Sequence, residues 1–266
     1  MNTRSRYLPV LNIIAFVAVV FVNFLSNALP LNGRTAAEIS DALPSYFTPA
    51  GSTFSIWGLI YLTLLGYVIY QALPAQRDAP FRQQIGPLFI LSSVANIGWL
   101  FAWHYGYFVL SIGVMVALLI TLIAIYVRLR VGLPGAASTI WQKLFVHLPF
   151  SFYLGWITVA TIANVAGVAG GHLGWDGFGV SGPVWSALMM FVAVGVAGLL
   201  LLRRSDPAYA GVLIWALFGI RAAFADVSLI ATSALIAGAI IALLALVAWL
   251  RAVRRQSTTP GQVQTA

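Results

Sequence analysis

Residues 87–127 read PLFILSSVANIGWLFAWHYGYFVLSIGVMVALLITLIAIYV, a run of about 40 residues that contains no Asp, Glu, Lys or Arg. As one straight helix it would be about 60 Å long at 1.5 Å per residue, roughly twice the thickness of the hydrocarbon core of a bilayer. The run must therefore fold back on itself. The expected turn is His104-Tyr105-Gly106. The stretch predicts two consecutive transmembrane helices.

Similar apolar segments occupy most of the remaining chain. Apolar residues make up 61% of the sequence and charged residues 8%, with a mean hydropathy of +0.95. A water-soluble core cannot hide that much apolar surface, and the chain has no cysteine for disulfides, thiolate metal sites or thiol nucleophiles. The sequence predicts an all-α integral membrane protein with about eight transmembrane helices, near residues 7–29, 52–73, 87–105, 107–127, 144–168, 184–202, 208–225 and 228–250.

Basic residues divide unequally between the two sides of these predicted helices. The side that carries both termini holds 12 of the 14 Lys and Arg residues, whereas Arg34 and Arg221 lie on the other side. Because basic loops stay in the cytoplasm, both termini are expected there, and the expected location is the bacterial cytoplasmic membrane. The pI of about 10.2 then reflects membrane topology, so the lipid bilayer is the expected partner and nucleic acid is not.

Polar and aromatic residues recur at helical spacing in four of the predicted helices. The stripes are Asn12, Asn23 and Asn27; Phe54, Trp57 and Tyr61; Ser92, Asn96, Trp99 and Trp103; and Trp156, Ala160 and Asn164. In the predicted orientation, parts of all four stripes lie in the outer half of the membrane. Such convergence is typical of a cavity for a flat apolar ligand. The alternative is that the amides join helices and the tryptophans mark the membrane interface.

At these positions the sequence resembles the TspO/MBR family, the tryptophan-rich sensory or translocator proteins. The matching residues are Pro49, Trp57 and Tyr61 in the second helix, Asn96, Trp99, Phe101 and Trp103 in the third, and Trp156, Ala160, Thr161 and Asn164 in the fifth. Two features depart from the family pattern. Gly66 falls one residue late, and Pro149-Phe150 lies about one turn before the position of the family's Pro-Tyr pair.

The resemblance implies a domain organisation. The family is a five-helix bundle, so residues 1–168 would form a TspO-like bundle, 169–255 a C-terminal three-helix extension and 256–266 a disordered tail. It also implies an intramembrane pocket that opens to the outer face and binds a tetrapyrrole such as protoporphyrin IX, or a sterol-like or other lipid. Residues 30–51 would be the lid. The ligand-binding residues carried over or drawn from the stripes are Trp57, Trp156, Phe54, Tyr61, Asn96, Trp99, Trp103, Ala160, Asn164, Asn23, Asn27 and Pro49.

Several functions remain open at this point. Family members have been proposed as transporters, as receptors or stress sensors, and as porphyrin-degrading enzymes; a receptor or transport-type protein is the preferred interpretation. The alternatives are a porphyrin-degrading membrane enzyme and a structural or partner-binding protein without a ligand. No catalytic residue, metal site or cofactor other than a bound porphyrin is expected, and a homodimer is left open. His104 and His147 are expected to be solvated at the interfaces, and His172 is a candidate axial ligand for a metalloporphyrin.

Overall fold

The computed structural model describes residues 4–29, 31–43 and 45–257, and side chains for 7–26, 28–29, 31–43 and 45–251. The described part is helical and contains no strand. Eight long α-helices account for most of it: α1 (Arg4–Ala28), α3 (Ile56–Ala72), α5 (Leu88–His104), α6 (Phe108–Arg128), α8 (Leu148–Ala166), α9 (Gly182–Arg204), α10 (Pro207–Ala223) and α11 (Ser228–Ser257). Three short ones are α2 (Ala36–Asp41), α4 (Pro80–Ile85) and α7 (Ile140–Gln142).

The long helices confirm the predicted all-α membrane fold. Six helical stretches of the described residues are long and apolar enough to cross a membrane: Tyr7–Ser26, Gly51–Ala72, Phe108–Arg128, Ile140–His172, Gly182–Arg204 and Ser228–Arg251. The other two predicted spans are the shorter apolar helices α5 and α10, with 17 residues each. That length is at the lower limit for a span, so α5 and α10 reach across only a thin hydrocarbon layer.

The predicted turn within the long apolar run is confirmed. Helix α5 ends at His104, Tyr105 follows as its cap, and Gly106 adopts a φ of +77° before α6 begins at Phe108. Glycine tolerates this left-handed conformation because it has no Cβ. The two helices can therefore pack side by side along their whole length.

The last three helices pack together and also join the first five. Helix α10 lies against α8 and against the short 3₁₀ segment Gly51–Ser55 that precedes α3. There the N–H of Ala50 donates to the carbonyl of Gly219 at 3.0 Å, and Nε1 of Trp215 donates to the carbonyl of Thr53 at 2.9 Å. These two bonds are among several hydrogen bonds that join the C-terminal helices to the first five.

Candidate functional site

A narrow cavity lies at the end of the bundle where α5 and α8 finish. Its lining includes seven of the predicted site residues: Pro49, Phe54, Trp99, Trp103, Trp156, Ala160 and Asn164. The remaining lining residues were not predicted individually: Ala36, Ser40, Thr48, Val159 and Ala163. Three of these five belong to the segment expected to form the lid. The other two, Val159 and Ala163, lie on α8 beside the predicted Ala160 and could have been inferred from helical spacing.

Two tryptophans of α5 form one wall. Trp99 and Trp103 lie one turn apart and their rings stack with centroids 5.6 Å apart and an interplanar angle of 19°. Nε1 of Trp103 donates to the carbonyl of Ala36 at 3.2 Å, and Nε1 of Trp99 donates to Oδ1 of Asn164 at 3.3 Å. Each indole therefore has a hydrogen bond that fixes its orientation while its ring remains part of the apolar lining.

A second aromatic pair in the lining is Trp156 of α8 and Phe54 from the start of the second span. Their rings meet edge to face, with centroids 5.6 Å apart and an interplanar angle of 83°. Trp156 is only 2% exposed, so its indole is held among protein atoms and does not face lipid. This placement excludes the interface-anchor interpretation for Trp156, which needs an indole at the lipid headgroups.

The polar end of the cavity is Asn164. Its Nδ2 donates to Oγ of Ser111 at 3.1 Å, and its Oδ1 accepts the bond from Trp99. One amide thus links α8 to both α5 and α6. An Nδ2 group has two N–H bonds, so Asn164 carries a second N–H besides the one that Ser111 accepts.

Four other predicted residues do not line the cavity. Trp57 lies behind Trp156, with ring centroids 6.4 Å apart, and stacks on Tyr61 at 5.3 Å. Asn96 donates to the hydroxyl of Tyr153 at 3.0 Å and accepts from Nδ2 of Asn23 at 2.9 Å. These amides hold helices together, as the alternative interpretation expected of them. The side chain of Asn27 lies outside the described residues.

The lid expected at residues 30–51 contributes α2 and the chain that follows it. Thr35 caps α2 in a capping box: the N–H of Thr35 donates to Oε2 of Glu38 at 2.7 Å, and the N–H of Glu38 donates to Oγ1 of Thr35 at 3.3 Å. The Thr35 N–H and hydroxyl hold the pKa of the Glu38 carboxyl below its usual value, with a further contribution from Arg34. The ionised carboxylate of Glu38 therefore accepts these hydrogen bonds more strongly than the protonated acid would.

The cavity is closed to a large ligand in this conformation. It encloses about 50 Å³, enough for a few water molecules, since one water needs roughly 10–15 Å³. A tetrapyrrole would enter only if the walls separated. Helix α2 contacts α5 and contributes Ala36 and Ser40 to the lining. It is short and lies at the surface, so the lid is the wall that can move with the least loss of packing.

The histidines differ from expectation. His104 and His147 are 3% and 7% exposed, so the prediction that they are solvated is wrong. His104 Nδ1 lies 2.8 Å from the carbonyl of Leu100, and the His172 ring packs edge-on against Phe108. Among the described lining residues there is no imidazole. His172, the candidate axial ligand, therefore does not line this cavity.

One buried acid, Asp206, was not predicted as a structural or site residue from the sequence. Asp206 is 4% exposed and caps α10 by accepting from the N–H groups of Ala208 and Tyr209. Its other oxygen accepts from the hydroxyls of Tyr126 and Ser151, both at 2.8 Å. The Asp206-Pro207 pair was the available signal, because Asp at the N-cap followed by Pro commonly begins a helix.

A comparison with known families matches nearly the whole chain. The family model described as TSPO-like protein matches residues 9–247. No curated protein and no solved structure matches the chain significantly. The matched range begins in α1 and ends in α11, so it includes the three C-terminal helices that the motif resemblance did not reach.

Proposed function

From the premise that this chain belongs to the TSPO-like protein family and is an integral membrane protein, we propose that it is a receptor or transport-type protein for a planar hydrophobic ligand. The ligand would occupy the cavity between α2, α5 and α8. A metal-free tetrapyrrole such as protoporphyrin IX is the first candidate, and a sterol-like lipid is the second.

The observation that carries this proposal is the aromatic cavity itself. Trp99, Trp103, Trp156 and Phe54 all line it, together with Asn164. Aromatic faces bind flat apolar molecules by stacking, which contributes about 0.5–1.5 kcal/mol per pair beyond burial alone. A purely structural bundle would gain stability by filling such a space with side chains.

The proposed ligand reaches the cavity from the outer side of the membrane. Lys143 and Arg251 both line a second cavity at the opposite end of the bundle, and basic ends face the cytoplasm. The lid end is therefore proposed to be external. Reporter fusions after Asn32 and after Gln256 test this orientation, with external and cytoplasmic signals expected; a cytoplasmic signal at Asn32 would reverse it.

Ligand binding is tested by titrating the purified protein in detergent with protoporphyrin IX and following tryptophan quenching. Saturable quenching is expected. In Trp156→Leu the dissociation constant should rise about threefold to tenfold, because one stacking wall is lost. Trp249→Leu is the matched control, since it also removes one fluorophore, but Trp249 is 61% exposed on α11.

A second variant keeps every tryptophan. Ala160→Leu adds side-chain volume to the α8 wall, so it should weaken quenching by the ligand without altering the intrinsic fluorophores. If the Trp156→Leu and Ala160→Leu variants both bind protoporphyrin IX as tightly as the parent, the cavity is not the binding site. If the parent shows no saturable quenching by protoporphyrin IX or by a fluorescent sterol, the structural interpretation is correct.

A further inference from the structure

A second, larger cavity of about 670 Å³ lies at the other end of the bundle. The loop 131–137 after α6 and the beginning of α8 form one side of it, and the α9–α10 junction and α11 form the other. This cavity therefore exists only because the C-terminal helices pack against the first five. It is separate from the aromatic cavity, and no lining residue is shared between them.

The base of this cavity is polar, and most of its polar groups already have hydrogen-bond partners. Ser151 and Asp206 line it, and the Asp206 carboxylate already accepts four hydrogen bonds from two hydroxyls and two backbone N–H groups. Four donors occupy the favourable lone-pair directions of a carboxylate. Asp206 is therefore a structural cap, and it has little capacity left to coordinate a cation.

His147 is the exception at the base. It lines the cavity and is 7% exposed, and its Nε2 is buried without a hydrogen-bond partner in the part of the chain that the structure describes. A buried polar atom without a partner costs folding stability. In the tautomer with a proton on Nε2, a bound hydrogen-bond acceptor would remove that cost.

The rim of the cavity is basic. Lys143 and Arg251 both line it and are both exposed, so their charged groups can reach its mouth. They come from opposite sides, the first from the turn before α8 and the second from α11. Two cations that face one space repel each other, and an anion between them relieves that repulsion.

We propose that this cavity binds a phosphate group, with Lys143 and Arg251 neutralising its charge and His147 donating a hydrogen bond from Nε2. Phosphate fits this arrangement because it offers several acceptor oxygens to separate donors, and lysine and arginine are its usual ligands. The phosphate belongs either to a soluble compound or to a phospholipid headgroup. The C-terminal helices thereby supply part of a binding site, since Arg251 lies on α11.

The soluble source is tested with inorganic phosphate and the full-length protein in detergent. Thermal unfolding is followed by tryptophan fluorescence in phosphate and in chloride at equal ionic strength. Phosphate should raise the unfolding temperature saturably, and its apparent dissociation constant should rise at least tenfold in Lys143→Gln/Arg251→Gln. Arg203→Gln is the matched control, because Arg203 is exposed at the same end but does not line the cavity.

The lipid source is tested by native mass spectrometry of protein taken from nanodiscs that contain phosphatidylglycerol or phosphatidylcholine. If a headgroup is the ligand, inorganic phosphate has no effect, but one phospholipid is retained by the parent and by Arg203→Gln and lost from the double variant. In either case His147→Leu should weaken binding several-fold. The proposal is overturned if neither probe binds, or if Arg203→Gln weakens binding as much as the double variant.

Discussion

The indole Nε1 of Trp103 donates a hydrogen bond to the main-chain carbonyl of Ala36 at 3.2 Å. This bond joins the aromatic wall on α5 to the first residue of α2, the helix that covers the cavity. Trp103 therefore couples the α5 wall to the lid, and the proposed ligand would contact Trp103. Removal of this bond should affect access to the cavity more than stability of the bundle.

Trp103→Phe tests this coupling, because phenylalanine keeps an aromatic ring but has no N–H donor. A part-buried hydrogen bond contributes about 1 kcal/mol net, so the open lid should become roughly fivefold more populated. Hydrogen–deuterium exchange of the amides in residues 36–41 measures this directly. Trp185→Phe is the control, since its lost bond joins Trp185 to the carbonyl of Gly177 and not to the lid. Equal exchange in both variants would contradict the coupling.

The lid helix should also respond to acid through Glu38. Its pKa is lowered in the folded protein by the Thr35 hydrogen bonds, so ionised Glu38 stabilises the cap at pH values above the usual carboxyl pKa. That stabilisation is lost as the pH falls through the lowered pKa of the folded state. Exchange in residues 36–41, corrected for the intrinsic rate, should therefore accelerate in acid. Glu38→Gln keeps the capping geometry without a titrating group, so its corrected exchange should not depend on pH in this range.

Gly219 marks the closest approach of α10 to the segment before α3. A Cβ at this position would collide with the side chain of Thr53, so Gly219→Ala must separate the two segments. Overpacking of this kind costs about 1–3 kcal/mol, and the Ala50–Gly219 hydrogen bond would be lost with it. Gly238→Ala on α11 is the control, because nothing lies within 4 Å of its added Cβ. A thermal unfolding temperature that falls only in Gly219→Ala would confirm the prediction.

Asp206→Asn should destabilise the junction between α6, α8 and α10. An amide oxygen can still cap α10, but the Nδ2 group cannot accept the hydroxyl protons of Tyr126 and Ser151. Buried polar groups without a partner cost about 1–3 kcal/mol, so the midpoint of chemical unfolding should fall clearly. Asp78→Asn, at an exposed position, should leave it unchanged. A midpoint that does not move in Asp206→Asn would mean that water replaces the lost acceptor.

The sequence was sufficient to predict the long helices, because each apolar stretch must cover its own backbone polar groups inside a membrane. It also predicted the turn at Gly106, since a 60 Å run cannot span a bilayer about 30 Å thick. The aromatic stripe on α5 was equally accessible, because residues three and four apart share a helix face. All of these depend only on local composition and helical geometry.

Which stripe residues face the cavity was decided by the tertiary structure. Asn96 and Asn164 have the same chemistry and similar helical surroundings, yet Asn96 binds Asn23 and Tyr153 in the interior, whereas Asn164 lines the cavity. Trp57 likewise shares its helical stripe with Phe54 but packs against Trp156 without lining the cavity. Helical periodicity determines the direction in which a side chain points, but the partner that it meets belongs to another helix, and its position depends on how the helices pack. The buried environment of Asp206 and His147 likewise required α9–α11 to close against α6 and α8.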